Sequence, residues 1–468
     1  MSKLVSDLRE AIQLSGLRDG MTVSFHHHLR NGDYVLNMVM EQIADLGIKD
    51  LTVNASSLFD VHRPLADHIR EGVVTGIQTD YMSAGLGREI SRGLLAKPVQ
   101  FRTHGGRPGD IASGNTPIDV AFIAAPSADR MGNCTGKTGK SACGSLGYAI
   151  PDAMYAKKVV VITDNLVPYP LQGWSIPEIY VDCVVSVDAI GDPKGIVSGT
   201  TKITRDPVGL VMASYAARVI EHSGLLKDGF SFQTGAGGAS LAAASFLKDV
   251  MLEKGVRGSF GLGGITGYMV DMLRAGCFQS LLDVQCFDLK AVESLRDDPR
   301  HQEISALHYA GPTLSSAVVD SLDVVILGAT EIDTDFNVNV HTDSNGSIMG
   351  GSGGHSDTAV GAKLSMIIAP MFRARLPIVT ERVQCISTPG EDIDVLVTQG
   401  GVAVNPKNGE LRRRLADAGL PVIDIRDLKE KTERITGVPK HLPRGGRVVA
   451  EVISRTGGIL DRIYAVEE

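Results

Sequence analysis

An internal repeat constrains the fold of this chain more than any other feature of its sequence. The segments LRDGMTVSFHHHLRNGDYVLNMVMEQIADLGIKDLTVNAS (17–56) and LKDGFSFQTGAGGASLAAASFLKDVMLEKGVRGSFGLGGI (226–265) share one order of features. Each has an Asp-Gly turn, a short strand, a polar or glycine-rich loop, a helix, a turn around a glycine and another strand. Such a repeat predicts two tandem copies of one fold.

A second pair of blocks recurs in the same order. PIDVAFIAAPSAD (117–129) matches SLDVVILGATEID (321–333), and each contains an apolar run typical of a strand buried on both faces. A glycine-rich stretch follows each block, and then come the apolar segments KKVVVITD (157–164) and RLPIVTERV (375–383). Because strands alternate with helical segments, we predict α/β domains with mostly parallel sheets.

We place the domain boundary after the helical run LVMASYAARVIEHSG, which gives domains 1–222 and 223–468. A chain of 468 residues is long enough for two or three domains. Ligands of open α/β sheets bind outside the carboxyl ends of the strands, so two facing domains would form a cleft. Two unrelated α/β domains with generic patterns remain the alternative.

Composition excludes several classes of function. A net charge of −8 and an aromatic content of 5% do not favour a nucleic-acid partner. No run of about 18 apolar residues could cross a membrane, and the start MSKLVSDLRE lacks the apolar core of a signal peptide. The six cysteines form no C-x-x-C pair. We therefore predict a reduced, cytoplasmic protein without a metal site or a membrane partner.

Glycine is enriched, with 53 residues, and it is clustered in predicted loops. TGAGGAS (234–240) follows a strand and opens a helix, which leaves backbone N–H groups free for an anion. FGLGGITG (260–267) and GSIMGGSGGHSD (346–357) are predicted as two further loops. Such loops suit a long, thin ligand such as a phosphopantetheine arm, and their N–H groups could stabilise the oxyanion formed at its thioester. Tight turns without a ligand remain the alternative.

The segment 257–360 resembles the second half of CoA-transferases of the acetate and succinyl type. RGSFGLGGITG, VDMLRAG, LSSAVVDSLDVVILGATEIDTDFNVNV and IMGGSGGHSD occur in that family's order and spacing. The family carries a nucleophilic Glu in a Ser-Glu-Asn-Gly motif, whereas this chain has GSFG (258–261) there. The resemblance implies that the carboxylate of the acceptor attacks the thioester directly, without an enzyme glutamyl-CoA intermediate.

Over residues 1–468 the chain resembles the alpha subunits of citrate lyase and citramalate lyase. The runs that carry this resemblance are VSFHHHLRNGDYV, FRTHGGRPGDIASG, GNCTGKTGKSACGSLGYA and VHTDSNGSIMGGSGGH. It implies two tandem CoA-transferase-like domains and a citrate CoA-transferase, which exchanges acetyl for citryl on the thioester of an acyl carrier protein. Citramalate as the substrate, or a non-catalytic ligand-binding module on the same fold, remain alternatives.

The resemblance also implies partners. These are citrate, an acyl carrier (gamma) subunit and a beta subunit that cleaves the citryl group. No cofactor would be tightly bound, because the CoA-like prosthetic group is carried on the acyl carrier protein. Free acetyl-CoA is expected to substitute for the acetylated carrier.

Two cationic loops are the candidates for binding citrate, because Arg is the natural bidentate partner of a carboxylate. FHHHLRNGD (25–33) takes the place of TGAGGAS in the repeat, and FRTHGGRPGD (101–110) is the second loop. Alternation along an extended segment would put His26 and His28 on one side of it. A metal site or purely structural histidines remain alternatives. The predicted substrate-binding residues are His26, His28, Arg30, Arg102, His104 and Arg107.

The remaining predictions concern the thioester. GNCTGKTGKS (132–141) has one residue too few between its first glycines for a phosphate-binding P-loop, but its lysines could meet the phosphates of the arm. His355 could polarise the attacked carbonyl. The predicted catalytic residues are Gly237, Gly238, Gly263, Gly264 and His355. The predicted arm-binding residues are Gly235, Gly350, Gly351, Gly353, Gly354, Lys137 and Lys140.

Overall fold

The computed structural model describes residues 2–197, 202–440 and 445–466, which form two large sheets. In spatial order, the ten strands of the first sheet are Leu4–Val5, Cys183–Ser186, Lys158–Thr163, Val120–Ala125, Thr22–Phe25, Leu51–Ala55, Val74–Thr79, Val99–Phe101, Val448–Ile453 and Ile459–Tyr464. The nine strands of the second sheet are His301–Glu303, Phe278–Cys286, Gly258–Ile265, Ser231–Thr234, Val324–Leu327, Leu364–Ile368, Val395–Thr398, Gly401–Val404 and Val422–Ile423. Each sheet is parallel except for one antiparallel hairpin.

The two sheets confirm the internal repeat. Thr22–Phe25 lies between Leu51–Ala55 and Val120–Ala125, and Ser231–Thr234 has the equivalent neighbours Gly258–Ile265 and Val324–Leu327. Seven successive strands follow the same spatial order in both sheets. The equivalent loops that follow these strands therefore emerge at the same edge of each sheet.

One predicted strand is wrong. The counterpart of Lys158–Thr163 in the second sheet is Leu364–Ile368, not the segment 375–383. All five residues of Leu364–Ile368 are buried, as a strand covered on both faces requires. The segment 375–383 instead supplies Val379–Thr380, which pairs with Glu331–Asp333 in a small separate sheet.

Small sheets and helices complete the architecture. The strands of the small sheets are Ser127–Asp129, Cys134–Thr135, Leu166–Val167, Glu331–Asp333, Val338–Asn339, Phe372–Arg373, Leu376–Pro377 and Val379–Thr380. The α-helices are Leu8–Ser15, Val35–Asp45, Leu65–Arg70, Ala84–Ser91, Gly106–Ser113, Ala149–Tyr155, Pro207–His222, Gly238–Lys254, Gly267–Arg274, Leu289–Asp297, Ala306–Ala310, His355–Gly361, Gly409–Asp417 and Ile425–Thr436. The 3-10 helices are Arg30–Gly32, Asp60–His62, Glu178–Tyr180, Pro193–Ile196, Val318–Ser321, Gly390–Asp392 and Pro406–Asn408.

The helix Pro207–His222 begins where its sequence favours a start. Asp206 accepts a hydrogen bond from the N–H of Gly209, and a proline occupies the first turn. Its small and apolar side chains, among them Ala213 and Ala216, are buried, and the helix packs on Gly238–Lys254. This helix therefore belongs by packing to the second sheet.

The sheets divide the chain differently from the predicted domains 1–222 and 223–468. The helix Pro207–His222 belongs to the first predicted domain but packs with the second sheet. The C-terminal hairpin belongs to the second predicted domain but extends the first sheet. Val448–Ile453 pairs in parallel with Val99–Phe101 and so extends the first sheet. The boundary at residue 222 remains a prediction for the folding units. Within the described part of the chain, no helix is both long and apolar enough to span a membrane.

Candidate active site

The carboxyl ends of the two sheets face each other, and hydrogen bonds join them directly. The side-chain amide of Gln285 donates to the carbonyl of His27 at 3.0 Å, and the hydroxyl of Ser145 donates to the carbonyl of Asp283 at 3.0 Å. The two halves thus form one cleft at the edge where ligands of parallel sheets bind.

Residues 26–30, which we call the histidine segment, lie in this cleft directly after the strand Thr22–Phe25. Nδ1 of His27 lies 2.6 Å from Oγ of Ser56, and Nε2 of His28 accepts the N–H of Tyr148 at 3.3 Å. Burial holds the pKa of both imidazoles well below the usual range, so both rings are neutral. Because Nε2 of His28 is an acceptor, its proton is on Nδ1, which makes this ring a hydrogen-bond donor.

Arg30 is the charged group of this segment. Its guanidinium carbon lies 5.4 Å from the ring centre of Phe59 and 4.9 Å from that of Phe287, and it donates to the carbonyl of Ile196 at 3.4 Å. Burial lowers its pKa, but a guanidinium stays protonated in proteins. In the described ranges no carboxylate lies at ion-pair distance from Arg30. A half-buried cation without a protein counterion is suited to an anionic ligand.

His26 and Arg107 belong to a buried network beneath the cleft. Nε2 of His26 lies 3.0 Å from Oδ2 of Asp152, and two nitrogens of Arg107 donate to the same carboxylate at 2.9 and 2.6 Å. Nε of Arg107 donates to Asn54, so protein acceptors engage every nitrogen of this guanidinium. The geometry therefore gives Arg107 a supporting role and does not favour its predicted direct contact with substrate.

His104 joins the cluster from the end of Val99–Phe101. Its Nδ1 lies 2.9 Å from Oδ2 of Asp80, and its ring centre lies 4.6 Å from that of Tyr148 and 5.8 Å from that of His27. Burial raises the pKa of Asp80. His104 is thus a hydrogen-bonded imidazole beside the histidine segment, where a substrate contact remains a prediction.

Arg102 has partners of its own. It forms an ion pair with Asp110 and donates to the side chain of Gln100 at 3.2 Å. Unlike Arg30, it is neutralised by a protein carboxylate. Its predicted contact with citrate stays untested and has less support from the geometry.

The glycines of TGAGGAS occupy the predicted strand–loop–helix junction. Gly237 precedes the first turn of the helix Gly238–Lys254, and the N–H of Gly235 donates to the carbonyl of Ile326 at 3.0 Å. A Cβ atom at Gly238 would lie 2.9 Å from the carbonyl oxygen of Lys202. The loop therefore allows close backbone approach, and its role toward a thioester stays a prediction.

Gly263 and Gly264 were predicted in a loop, which is wrong. Both lie in the strand Gly258–Ile265, at a shift in its register with the neighbouring strand. A Cβ atom at Gly263 would come within 2.8 Å of the Gln233 side chain, and one at Gly264 within 2.2 Å of the Phe287 ring. These glycines make room for protein side chains, including the ring that contacts Arg30.

The segment GSFG (258–261) also belongs to this strand rather than to a loop. Phe260 pairs with Ser231 and Ser280, well before the carboxyl end of the strand. The residues that do reach the cleft end, 262–267, contain no acidic residue either. The strand thus offers no carboxylate at either place.

The glycine loop 350–354 lies between the first sheet and the second sheet. The N–H of Gly353 donates to the carbonyl of Asp80 at 3.1 Å, and the N–H of Met82 donates to the carbonyl of Gly350 at 3.2 Å. A Cβ atom at Gly351 would lie 2.2 Å from the carbonyl oxygen of Asp80, and one at Gly354 would lie 2.5 Å from the hydroxyl of Tyr309. These glycines allow the halves to touch, and binding of the arm by this loop remains a prediction.

His355 has both ring nitrogens engaged. Nε2–H donates to the carbonyl of Gly328 at 2.9 Å, and Nδ1 lies 2.8 Å from the hydroxyl of Thr388. Burial lowers the pKa of His355 to about 4, so the ring is neutral. The geometry does not favour the predicted polarisation of a substrate carbonyl by this ring.

Lys137 and Lys140 each have a protein partner. Nζ of Lys137 lies 3.1 Å from Oε2 of Glu303, across the two halves, and Nζ of Lys140 donates to the carbonyl of Asp188 at 2.5 Å. Their predicted contacts with phosphates are not tested by these partners. No cluster of at least three His, Cys, Asp or Glu residues suited to a metal occurs in the described ranges.

Several residues around Arg30 and the histidines were not predicted from the sequence. They are Phe59, Asp80, Tyr81, Tyr148 and Phe287. The rings of Phe59 and Tyr81 lie 5.4 Å apart between centres and form one wall of the cluster around Arg30. Asp80 and Tyr81 directly follow the strand Val74–Thr79, so their position at a strand end was the available signal. Phe287 could not have been found without the pairing of the second sheet.

Comparisons with known proteins concern the chain as a whole. The model of the family "Citrate lyase, alpha subunit (CitF)" matches residues 1–466. The citrate lyase alpha chain of Escherichia coli is 51% identical over 466 residues, which is 100% of this chain and 91% of that protein. The Klebsiella pneumoniae chain is 50% identical, over 99% of this chain and 92% of that one.

Two solved structures extend the comparison. A structure described as the alpha subunit of citrate lyase from Streptococcus mutans, in complex with citrate, has a TM-score of 0.98 at 48% identity. It matches 100% of this chain and 92% of that chain. A malonate decarboxylase hetero-tetramer from Pseudomonas has a TM-score of 0.70 at 18% identity, over 93% of this chain and 87% of that chain, and so shares the fold alone.

Proposed function

Because the chain belongs to the citrate lyase alpha subunit family and is thus a CoA-transferase-type enzyme, we propose that it loads citrate onto a thioester carrier. The reaction converts an acetylated acyl carrier protein and citrate to the citryl carrier and acetate. The acetyl group would be held on the CoA-derived arm of the carrier subunit, with no cofactor bound tightly to this chain. A beta subunit would then cleave the citryl group.

The exchange needs two displacements. A carboxylate oxygen of citrate attacks the acetyl carbonyl and the C–S bond breaks. The thiolate departs, and a citryl-acetyl anhydride is formed. The thiolate then attacks the citryl carbonyl of the anhydride, a new C–S bond forms and acetate departs. No proton, oxidant or reductant is consumed, so the enzyme needs to position two partners and to stabilise two oxyanions.

Arg30 is the single observation that carries the proposal. Its guanidinium is half-buried between two aromatic rings, and none of the described carboxylates neutralises it. Neutral His27 and His28 belong to the same segment and add no charge to it. A citrate carboxylate would supply the missing counterion, and a second carboxylate could accept from Nδ1–H of His28.

The absence of an acid along Gly258–Ile265 supports direct attack by the substrate. A glutamyl-CoA intermediate would require a carboxylate at the carboxyl end of this strand, and residues 262–267 provide none. The citrate carboxylate therefore takes the part of the nucleophile.

One assay tests the activity. The purified chain is mixed with acetyl-CoA and citrate, and acetate and citryl-CoA are measured by mass spectrometry. We expect both products in equal amounts. A parallel reaction with citramalate distinguishes the two substrates, and no exchange with any di- or tricarboxylate would refute the transferase.

The route is tested by trapping. Borohydride reduces an enzyme glutamyl thioester and leaves a stable mass change on a peptide. We expect none after incubation with acetyl-CoA alone. A reduced glutamate in any peptide would contradict direct attack and would indicate an enzyme glutamyl-CoA intermediate.

The role of Arg30 is tested by Arg30→Ala. Loss of a charge-assisted hydrogen-bond pair is expected to raise the KM for citrate by roughly 10- to 100-fold and to leave the KM for acetyl-CoA within about twofold. Arg412→Ala, an exposed position on the helix Gly409–Asp417, is the control and should change neither. An equal rise of both constants would contradict the assignment.

A further inference from the structure

Arg30 has a backbone conformation that arginine rarely adopts. It opens the 3-10 turn Arg30–Gly32, and its φ of 53° lies in the left-handed region, which favours glycine and asparagine. A residue with a long side chain is strained there, and it keeps this conformation only where the surrounding structure holds it. Asn31 and Gly32 follow directly, so the strain falls on the one residue of the turn that carries a charge.

A segment that is distant along the chain holds this turn. We call residues 190–196 the supporting segment. The N–H of Asp192 donates to the carbonyl of Gly32 at 2.9 Å, and the N–H of Tyr34 donates to the carbonyl of Ile190 at 3.1 Å. Backbone hydrogen bonds therefore tie the turn to the supporting segment on both sides of Gly32.

Glycines bring the two backbones into direct contact. A Cβ atom at Gly32 would lie 2.0 Å from the carbonyl oxygen of Asp192, and one at Gly195 would lie 2.3 Å from the backbone nitrogen of Gly32. A Cβ atom at Gly191 would lie 2.3 Å from the carbonyl oxygen of Gly32. Because the atoms in the way are backbone atoms, no rotation of a side chain could relieve the overlap. The close approach therefore requires glycine at all three positions.

The supporting segment also contacts the charged group of Arg30. The carbonyl of Ile196 accepts from Nη1 of Arg30 at 3.4 Å, while the rings of Phe59 and Phe287 flank the guanidinium. A neutral carbonyl orients the guanidinium and leaves its charge to be balanced by a ligand. The same segment thus fixes Arg30 at its backbone and at the end of its side chain.

We propose that the supporting segment positions the citrate site, and that Gly191 and Gly195 are positioning residues that act through Arg30. This inference rests on the proposed function, in which Arg30 pairs with a citrate carboxylate. Arginine has many rotamers to lose when it binds a ligand, and holding it in place beforehand removes part of that cost. The strained turn therefore contributes to the affinity for citrate by keeping the guanidinium at one place in the cleft.

The first test asks whether Gly195 acts through Arg30. In Gly195→Ala the new Cβ displaces the turn, so we expect the KM for citrate to rise about fivefold or more and the KM for acetyl-CoA to stay within about twofold of wild type. The double variant Arg30→Ala/Gly195→Ala should have the same KM for citrate as Arg30→Ala, because no guanidinium is left to position. Effects that multiply in the double variant would overturn the proposal, as would an unchanged KM for citrate in Gly195→Ala.

The second test concerns the strain at residue 30. Arg30→Gly removes the guanidinium and relieves the left-handed backbone, whereas Arg30→Ala removes the guanidinium and keeps the strain. We expect Arg30→Gly to melt at a higher temperature than Arg30→Ala in calorimetry, with the same rise in the KM for citrate. A melting temperature of Arg30→Gly equal to or below that of Arg30→Ala would show that the turn does not hold residue 30 under strain, and would overturn the proposal.

Controls separate a failed fold and a failed function from a failed proposal. Gly409→Ala, where a Cβ atom has open space, should leave both KM values unchanged. If Gly195→Ala does not fold, Asp192→Ala replaces it. This variant removes the hydrogen bond from the N–H of Lys194 to the Asp192 carboxylate and should give a smaller rise for citrate, and no rise would overturn the proposal. An unchanged KM for citrate in Arg30→Ala would instead contradict the proposed role of Arg30, and no exchange by the wild type would contradict the proposed function.

Discussion

Asp152 is the buried carboxylate that links Arg107 to the histidine segment. Its carboxylate pairs with Arg107 and contacts His26, and the Arg107 guanidinium holds the pKa of Asp152 well below its usual range despite complete burial. Asp152→Asn removes the counterion and leaves a buried guanidinium unpaired, which costs about 3–5 kcal/mol. We expect the free energy of unfolding in urea to fall by that amount. Asp45→Asn, at an exposed position, should change it by less than about 0.5 kcal/mol, and equal effects of the two substitutions would contradict this role.

Buried neutral histidines make stability depend on pH. Burial lowers the pKa of His341 to about 3 and that of His355 to about 4. In the unfolded chain both rings take up a proton below about pH 6.5, whereas in the folded chain they stay neutral until their lowered pKa is reached. Stability is therefore complete above pH 6.5 and is lost as the pH falls toward 4 and then 3.

Urea unfolding at a series of pH values measures this loss. Each of these rings contributes a slope of up to about 1.4 kcal/mol per pH unit in that window. His355→Gln should unfold with a shallower slope than wild type, although it is less stable at pH 7.5. His308→Gln, at an exposed ring, should keep the wild-type slope. A wild-type slope in His355→Gln would show that this ring is already charged when folded.

For single residues, the sequence predicted the positions of the cationic side chains better than the partners that surround them. The repeat placed His26–Arg30 correctly after a central strand, because the pattern of that strand is local. It did not show that Arg107 is saturated by Asp152, since those two residues lie 45 positions apart and meet only in the folded protein. The difference between a free and a neutralised arginine depends on such distant partners.

At the scale of elements, a glycine-rich strand was mistaken for a loop. Clustered glycines predict a loop at FGLGGITG (260–267), yet Gly258–Ile265 forms one strand. The reason is close packing: the Phe287 ring and the Gln233 side chain occupy the space that Cβ atoms would need. Strand propensity is outweighed here by contacts that no local pattern reveals.

The glycine loop 350–354 gives a prediction for an element. At Gly351→Ala the new Cβ would lie 2.2 Å from the carbonyl oxygen of Asp80 and 2.6 Å from Cα of Tyr81, so backbone must move. We expect the loop to separate from the end of Val74–Thr79, with a loss of about 1–3 kcal/mol of stability and a rise in KM for both substrates. Gly409→Ala has open space and helical backbone, and it should be neutral in calorimetry and kinetics. Unchanged melting and kinetics of Gly351→Ala would contradict the close approach.

For the whole molecule, the repeat correctly predicted two similar sheets but not how the chain joins them. The strand order is the same in both sheets because the pattern of each copy is local and strong. The C-terminal hairpin departs from this rule: Val448–Ile453 returns to the first sheet, and its turn is anchored on the second half by Arg455, which pairs with Asp320. Pairing of an edge strand with a partner hundreds of residues away has no signature in the strand itself.

This crossing predicts that the two halves are not independent. A fragment of residues 1–222 lacks the strand that pairs with Val99–Phe101 and exposes the apolar face of Pro207–His222, so we expect it to be insoluble alone. Co-expression with 223–468 should recover a soluble pair that co-purifies. A cut after residue 206 keeps that helix with the sheet it packs on, so the yield of the pair should be higher, as measured by gel filtration. A cooperative unfolding transition of the isolated fragment 1–222 would show instead that the predicted domain boundary separates two folding units and that the hairpin is dispensable for the first.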